Sequence, residues 1–209
     1  MRGLVLAIRH GATAWNLVRR LQGHRDIPLC EAGRRAFRGA RIPARFASFA
    51  SVSSPLVRCL QTAELLGGAN PRLEPRIIEM DWGEWEGASL ADLRRRAPDE
   101  MEANEALGLD FRPRGGESPR DVLERLTPWL EEVGEHGERL VAFTHKGVIR
   151  TLLSKAIDWD MKTKASIKLR WERGHLFAVD RNGSVSLLEA NVELGGAPTG
   201  SLLPVDWEQ

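Results

Sequence analysis

The chain has 209 residues, of which 42% are hydrophobic and 28% charged, a balance typical of one globular domain rather than a disordered segment. Thirty lysines and arginines against 29 acidic residues leave a net charge of +1, which argues against a nucleic-acid binder or a polybasic membrane binder. Two cysteines, Cys30 and Cys59, exclude a disulfide scaffold and a four-cysteine zinc site. The apolar runs are too short for a membrane span or a signal peptide, so we expect a cytoplasmic protein.

The first half of the chain predicts strands that alternate with helices. An apolar run at 3–8 is typical of a strand buried on both faces, and 49–53 is a second short strand. Helical spacing of apolar residues predicts helices over 31–41 and 55–66, the latter ended by a pair of glycines. A third strand is expected near 72–78.

The second half begins with a break in this alternation. Residues 80–117 are rich in Trp, Gly, Pro and charge, and we interpret them as a cap-like insertion that covers one end of the sheet, with two helical pieces at 89–96 and 98–107. After it, Ser118 is suited to begin an amphipathic helix. A fourth strand at 140–143 and a helix over 148–157 then restore the alternation.

The last part of the chain indicates antiparallel strands. The alternating patterns lie at 166–171, 175–179 and 184–188, with a turn at Asn182-Gly183 between the last two. From about Gly195 the tail has turn residues and little periodicity. We therefore predict a single α/β domain over 1–209, a three-layer α/β/α sandwich with a mostly parallel central sheet and helices on both faces.

Unusual polar residues follow the predicted strands. Arg9 and His10 come directly after the first strand, Arg58 lies one helical turn past the second, Glu79 follows the third and His145 follows the fourth. Ligands of parallel sheets bind outside the carboxyl ends of the strands, so these side chains are expected to converge. Arginines bind phosphate oxygens, a histidine nitrogen can attack phosphorus, and a carboxylic acid can protonate the departing alcohol. The set predicts phosphoryl transfer.

The motifs around these residues resemble those of the histidine phosphatase superfamily, the phosphoglycerate mutase-like fold. The resemblance covers roughly residues 3–155, and the motifs occur in the family's order along the chain. They are Arg9-His10-Gly11-Ala12-Thr13-Ala14-Trp15-Asn16, Leu21-Gln22-Gly23, Ser53-Ser54-Pro55-Leu56-Val57-Arg58, Glu79 with Gly83-Glu84-Trp85-Glu86-Gly87, Gly115-Gly116-Glu117-Ser118 and Thr144-His145-Lys146-Gly147-Val148-Ile149-Arg150.

The resemblance implies a role for each reactive residue. His10 would be the nucleophile that becomes phosphohistidine, and Arg9, Arg58 and His145 would hold the phosphoryl oxygens. Glu79 would act as the general acid and later as the base. No cofactor and no metal is implied, and a metal site built from the histidines lacks a supporting ligand spacing. The expected substrate-binding residues are Asn16, Gln22, Gly23, His24, Ser118 and Lys146.

Two positions depart from the family pattern. Ala12 stands where a glutamate often follows Arg-His-Gly, which removes a carboxylate from the site. Lys146 stands where glycine is usual, and it either adds a cation for an acidic substrate or points to solvent. Neither departure replaces a residue that the chemistry requires.

The resemblance implies a phosphomonoester hydrolase that acts on a small phosphorylated metabolite and uses water as the final acceptor. It is closest in character to the broad-specificity phosphatases and the alpha-ribazole phosphatases. The alternatives are a phosphoglycerate mutase and a non-catalytic phosphate-binding protein on the same fold. Neither a nucleic acid nor a membrane is an expected partner. The apolar tail residues Leu202, Leu203 and Trp207 offer a contact for a homodimer.

Overall fold

A computed structural model describes residues 2–68 and 70–196. Its centre is one sheet of six strands, and the connecting segments carry seven helices among the described residues. The strands are β1 (Gly3–Arg9), β2 (Ala50–Ser53), β3 (Arg72–Leu73), β4 (Arg139–Thr144), β5 (Gly174–Val179) and β6 (Val185–Val192). The helices are α1 (Ala14–Leu17), α2 (Glu31–Ala36), α3 (Val57–Leu65), α4 (Leu90–Arg96), α5 (Pro98–Glu105), α6 (Pro119–His136) and α7 (Lys146–Ile157).

The sheet has the strand order β3-β2-β4-β1-β5-β6. Strands β3, β2, β4 and β1 are parallel to one another, whereas β5 pairs antiparallel with both β1 and β6. The predicted mostly parallel sheet is thus confirmed. Because β1 lies between β4 and β5, its carboxyl end is surrounded by the ends of other elements.

Successive side chains of β1 enter two different hydrophobic cores. Val5 and Ala7 pack with buried residues of α6 and α7, while Leu6 and Ile8 pack on the opposite face of the sheet. The second face is covered by α2 and α3, through residues that include Cys59. Side chains of a strand alternate between faces, so a continuous apolar run requires cover on both sides. The three-layer α/β/α arrangement is confirmed.

Helix α6 is defined by strong end signals. The hydroxyl of Ser118 accepts from the backbone N–H of Asp121, and the Asp121 carboxylate accepts from the N–H of Ser118, so the two residues form a capping box. Gly137 ends the helix with a φ of 61°, a left-handed conformation that glycine adopts without strain. The apolar face of the helix, including Leu126 and Trp129, is buried in the core.

The predicted strand at 166–171 is wrong, because this segment is irregular. Leu169 and Trp171 are buried like strand residues. The backbone of this segment, however, forms hydrogen bonds with a side chain. The amide of Asn191 accepts from the N–H of Arg170 at 2.5 Å and donates to the carbonyl of Lys168 at 3.0 Å. Alternating burial alone therefore did not distinguish a strand from a buried loop.

Two predicted elements are shorter in the structure, and one element was missed. The strand expected over 72–78 is limited to β3, because Pro75 begins a short 3-10 helix, Pro75–Ile77, immediately after it. The helix expected over 31–41 ends at Ala36. Within the rest of the expected range, Gly39 has a φ of 77°, which is incompatible with a right-handed helix. Helix α1 was not predicted, although Thr13 caps it.

Within the described residues, the structure has no helix that combines the length and the apolar character needed to cross a membrane. Gly195, where we expected the tail to begin, exchanges two backbone hydrogen bonds with Arg41, at 2.7 and 2.8 Å. The tail residues proposed for a dimer contact, Leu202, Leu203 and Trp207, lie outside the described residues.

We expect the free energy of unfolding to decrease as the pH falls from about 6.5 toward 4, in part because of His175. The His175 ring is fully buried, its Nδ1 accepts from the N–H of Asn191 at 3.2 Å, and burial lowers its pKa to about 4. The native ring stays neutral while the unfolded chain, with a pKa of about 6.5, takes up the proton. This difference is worth about 3 kcal/mol.

Urea unfolding at pH 7 and pH 4.5 measures this contribution. The His175→Gln variant keeps a hydrogen-bond acceptor and should show a shallower pH dependence than the wild type. His136→Gln, at an exposed position, is the matched control and should keep the wild-type slope. Equal slopes for all three proteins would show that His175 does not carry the effect.

Candidate active site

The carboxyl ends of three neighbouring strands build the floor of the site. The N–H of His10, after β1, bonds to the carbonyl of Thr144 in β4 at 2.9 Å, and the N–H of Ser54, after β2, bonds to the carbonyl of Phe143 at 3.0 Å. These bonds align the strand ends side by side. The His10 and His145 rings consequently lie 5.2 Å apart, centre to centre, in an edge-to-face arrangement.

His10 is held as a neutral ring with one free nitrogen. Its Nδ1 lies 2.7 Å from the carbonyl oxygen of Gly11, and because a carbonyl only accepts, Nδ1 must carry the hydrogen. The lone pair is then on Nε2. Burial, followed by the charges of Arg58 and Arg9, lowers the pKa of His10 well below its ordinary value. At neutral pH the ring is therefore uncharged, and it has a nitrogen lone pair in the field of two cations.

Arg58, on the first turn of α3, is fully buried and held in place by the loop that follows α1. Its Nη2 donates to the carbonyl of Gly23 at 2.9 Å and its Nη1 to the carbonyl of Arg25 at 2.7 Å. Asp26 of the same loop accepts from the backbone N–H of Val57 at 2.7 Å, which ties the loop to the start of the helix. These contacts fix the guanidinium before any ligand arrives.

His145 is a second neutral ring directly behind the first. Nε of Arg58 donates to His145 Nδ1 at 3.3 Å, so the hydrogen of this ring is on Nε2, which donates to the Ser54 hydroxyl at 2.8 Å. Burial, then Arg58 and His10, lowers the pKa of His145 well below its usual range. The His145 ring thus helps to fix the position of the Arg58 guanidinium and packs against His10, and it adds no charge to the site.

Arg9 is buried on the other side of His10, next to an aromatic ring. Its Cζ lies 5.6 Å from the centre of the Trp171 ring, and Nζ of Lys146 lies 5.2 Å from the same ring. Burial lowers the pKa of Arg9 to about 9, which still leaves the guanidinium protonated at neutral pH. Trp171 was missed as a site residue because it lies 162 positions from Arg9 in the sequence, inside the segment predicted as a strand.

Glu79 approaches the site from the segment after the 3-10 helix Pro75–Ile77. Its Oε1 accepts from the backbone N–H of Gly147 at 3.1 Å and from that of Met80 at 2.9 Å. Gly147 is in the first turn of α7, where helix N–H groups have no partner within the helix. The carboxylate is half-buried and positioned by the backbone of two elements.

A cavity of about 490 Å³ opens above these groups. Among the described residues, the predicted site residues that line it are Arg9, His10, Asn16, Gln22, Gly23, Arg58, Glu79 and Lys146. The remaining predictions lie elsewhere. His145 is behind His10, Ser118 is buried in the cap of α6, and the exposed His24 donates from Nε2 to the Glu79 carbonyl at 2.9 Å. The structure therefore brings eight of the eleven predicted residues to one cavity.

The cavity has a second part that sequence motifs did not indicate. Its walls there are apolar side chains of the 80–117 segment and of neighbouring elements, and Trp82 and Phe111 pack edge to face at 5.9 Å. The additional cationic residues of the lining are Arg20, Arg94, Arg150 and Lys162. Among them, Arg94 reaches the cavity from α4.

Across 2–68 and 70–196, there is no group of three or more His, Cys, Asp or Glu side chains placed to hold a metal ion. Arg9 and Arg58 bring positive charge to His10, the His145 ring beside it is neutral, and Glu79 is a carboxylate that lines the same cavity. A phosphate dianion is the kind of ligand that such a set of N–H donors and positive charges binds.

The fold is the phosphoglycerate mutase-like α/β fold, with the candidate site at the carboxyl ends of its parallel strands. The model of the histidine phosphatase superfamily (branch 1) matches residues 5–191, and the chain belongs to this superfamily.

Similar proteins include both mutase-like proteins and phosphatases. Over 163 residues the chain is 32% identical to phosphoglycerate mutase-like protein 4 of Arabidopsis thaliana, which covers 73% of this chain and 70% of that protein. Over 139 residues it is 36% identical to glucosyl-3-phosphoglycerate phosphatase of Mycolicibacterium vanbaalenii, which covers 64% of this chain and 60% of that protein. The solved structure of Bacillus stearothermophilus YhfR is similar with a TM-score of 0.75 at 27% identity, covering 91% of this chain and 97% of that one.

Substitution of Gly147 by alanine is expected to lower kcat/KM for alkyl phosphates by about ten- to a hundred-fold, with little loss of stability. A Cβ at this position would overlap Oε1 of Glu79, and the carboxylate, as the end of a flexible side chain, can move away. The measurement is kcat/KM together with the thermal melting temperature. A variant with normal activity toward alkyl phosphates would show that the observed position of the carboxylate is not needed.

Proposed function

We propose that this protein is a metal-independent phosphatase that hydrolyses a small phosphorylated metabolite through a phosphohistidine at His10. The observation that carries the proposal is that the buried His10 ring is neutral, carries its hydrogen on Nδ1 so that the lone pair is on Nε2, and lies in the field of Arg9 and Arg58. Membership of the superfamily and similarity to proteins named as phosphatases support a phosphatase activity in general.

In the first step, the Nε2 lone pair of His10 attacks phosphorus while the bond from phosphorus to the ester oxygen breaks. Glu79, in its protonated form, gives its proton to the departing alkoxide, so that a neutral alcohol leaves. Arg9 and Arg58 hold the equatorial phosphoryl oxygens and stabilise the charge that they carry in the transition state. The ring hydrogen on Nδ1 stays bonded to the Gly11 carbonyl throughout, which keeps the ring oriented.

In the second step, a water molecule attacks the phosphohistidine. The Glu79 carboxylate takes a proton from the water as the new oxygen–phosphorus bond forms and the nitrogen–phosphorus bond breaks. Inorganic phosphate leaves, and both His10 and the protonated Glu79 are restored. The same two residues thus serve both halves of the reaction.

Trapping the intermediate tests this mechanism. After a rapid quench with substrate radiolabelled in the phosphoryl group, we expect label on His10 that is stable in base and lost in acid. Mapping by proteolysis and mass spectrometry locates it. Label on another residue, or a complete absence of label during turnover, would contradict the proposal.

A second candidate function is phosphoglycerate mutase activity, and the relative named phosphoglycerate mutase-like protein 4 favours it. In a mutase the phosphohistidine would return its phosphoryl group to a hydroxyl of the substrate instead of to water. Phosphate release and the exchange of 3- to 2-phosphoglycerate should be measured side by side. Robust exchange with little release would replace the phosphatase by the mutase.

Activity is expected to persist after dialysis against EDTA, because Arg9 and Arg58 supply the positive charge in the proposed mechanism. The assay compares phosphate release before dialysis, after it, and after addition of Mg²⁺ or Zn²⁺. Loss of activity that is restored by one of these ions would contradict the metal-independent mechanism.

A further inference from the structure

The loop that holds Arg58 is formed by residues 22–26, between α1 and α2. Two of its carbonyls, those of Gly23 and Arg25, accept from the Arg58 guanidinium at 2.9 and 2.7 Å. The loop has one turn of its own, in which the N–H of Arg25 donates to the carbonyl of Gln22 at 2.9 Å. Connecting segments are generally more mobile than helices and strands. The position of the guanidinium therefore depends on what else fixes this loop.

Glu86, directly after the 3-10 helix Gly83–Trp85, holds the loop through both of its carboxylate oxygens. Its Oε1 accepts from the backbone N–H of His24 at 2.7 Å, and its Oε2 pairs with Nε of Arg25 at 3.0 Å. Only 9% of the Glu86 side chain is exposed. Glutamates are rarely buried to this extent unless they are paired, and hydrogen bonds to a charged carboxylate are among the stronger ones. Glu86 thus fixes two successive residues of the loop.

The loop and the carboxylate are in close contact. Gly23 has a φ of 52°, and a Cβ at this position would overlap Oε1 of Glu86. The backbones of the two segments are also joined, because the N–H of Gly87 donates to the carbonyl of Leu21 at 2.8 Å and the N–H of Leu21 donates to the carbonyl of Ala88 at 2.9 Å. These bonds present the Glu86 side chain to the loop in one position.

Glu86 also acts on the charge of Arg58. Burial lowers the pKa of the fully buried Arg58 guanidinium, and the carboxylates that oppose this effect are those of Glu79, Asp26 and Glu86. Glu79 is the proposed acid, and Asp26 bonds to the start of α3. Glu86 itself is not among the described residues that line the cavity. It therefore acts on a bound phosphoryl group through the loop and Arg58, without touching that group.

We propose that Glu86 is a positioning residue that fixes Arg58, through the loop 22–26, in the place where its guanidinium holds the phosphoryl oxygens. When the carboxylate is removed, the loop loses both contacts, and the carbonyls of Gly23 and Arg25 are free to shift together with the guanidinium. A displacement of about 1 Å in a positioning group lowers a rate by about 100-fold. This inference rests on the proposed phosphatase function, because it takes Arg58 as a ligand of the phosphoryl group.

Substitutions of Glu86 provide the first test, with 4-nitrophenyl phosphate as the substrate. This ester needs no proton from Glu79, whose backbone carbonyl the same loop contacts through His24. Glu86→Ala removes both contacts and should lower kcat/KM by about 30- to 100-fold. Glu86→Gln keeps an acceptor for the N–H of His24 but loses the charge, so its loss should be about three- to ten-fold. Glu84→Gln, at an exposed position two residues earlier, is the matched control and should keep the wild-type kcat/KM.

A double-mutant cycle then shows whether Glu86 acts through Arg58. Arg58→Met replaces the guanidinium by a neutral, unbranched side chain, and Glu86→Ala is measured alone and in this background. If Glu86 positions Arg58, its removal should change kcat/KM by less than about three-fold once the guanidinium is absent. A role elsewhere in the fold, or a loss of folded protein, would reduce kcat/KM by the same factor in both backgrounds. The dissociation constant for orthovanadate, measured by calorimetric titration of the same four proteins, closes the cycle without turnover.

The outcomes separate this role from the proposed function. Wild-type activity of Glu86→Ala, or an equal loss with and without Arg58, would overturn the positioning role while the phosphatase stands. If the wild-type protein hydrolyses no phosphomonoester, the proposed function fails, and the orthovanadate titrations judge Glu86. Weaker binding by Glu86→Ala that disappears in the Arg58→Met background would then support the role. Equal binding by the wild type and Glu86→Ala, or no binding by the wild type, would overturn it.

Discussion

The His10→Ala variant is expected to lose at least about 10⁴-fold in kcat/KM for every phosphomonoester. Of the two buried rings described at the site, only His10 has a nitrogen lone pair available, because Nδ1 of His145 already accepts from Arg58 and its Nε2 carries a hydrogen. No neighbouring ring can therefore replace the nucleophile. Steady-state kinetics of phosphate release, together with the trapping of label, measure the loss.

The controls for this variant separate chemistry from folding. His136→Ala removes an exposed histidine at the end of α6 and should keep wild-type kinetics. In the His10→Gly variant, added imidazole can occupy the vacated space and should restore part of the phosphate release. Substantial turnover by His10→Ala without imidazole would eliminate the phosphohistidine mechanism.

The Glu79→Gln variant is expected to lose about 10²- to 10⁴-fold in kcat/KM for alkyl phosphates but less than about ten-fold for 4-nitrophenyl phosphate. An alkoxide is a poor leaving group and needs the proton, whereas 4-nitrophenolate departs without one. The quantity kcat/KM reports the steps up to transfer of the phosphoryl group to His10, so it isolates the role as acid. A plot of log kcat/KM against the pKa of the leaving alcohol should be steeper for the variant than for the wild type.

The role of Glu79 as base predicts a second, independent signature. With 4-nitrophenyl phosphate, the variant should form phosphohistidine quickly and hydrolyse it slowly, which gives a burst of nitrophenol equal to the enzyme concentration. Glu84→Gln is the matched control, because Glu84 is mostly exposed and lies 3.6 Å from Arg114 at the surface. Equal losses for alkyl and aryl esters, with no burst, would exclude both roles of Glu79.

Some features of this protein follow from short stretches of sequence. The unbroken apolar run before Arg9 and His10 requires burial on both faces, which is the reason that a central strand was predicted correctly. Polar residues directly after such strands must then lie at the carboxyl edge of the sheet. The positions of Arg9, His10 and His145 could thus be predicted from local pattern and strand direction alone.

Other features depend on contacts between distant segments. The segment 166–171 has the alternation of a strand, but β5 already pairs on both edges, with β1 and β6, and the segment bonds to the Asn191 amide instead. The conformations of buried loops depend on which partners the rest of the fold leaves available. Periodicity contains no information about those partners.

Sequence by itself determined the class of the sheet, the candidate reacting groups and the end of the sheet at which they meet, because each depends on burial and direction within a few consecutive residues. Only the tertiary structure decided which nitrogen of His10 is free, how Arg58 is held by the carbonyl of Gly23, and that Arg150 rests on Trp159. Those properties depend on distances of a few ångströms between separately folded segments. Such distances arise only when the packed core brings the segments together.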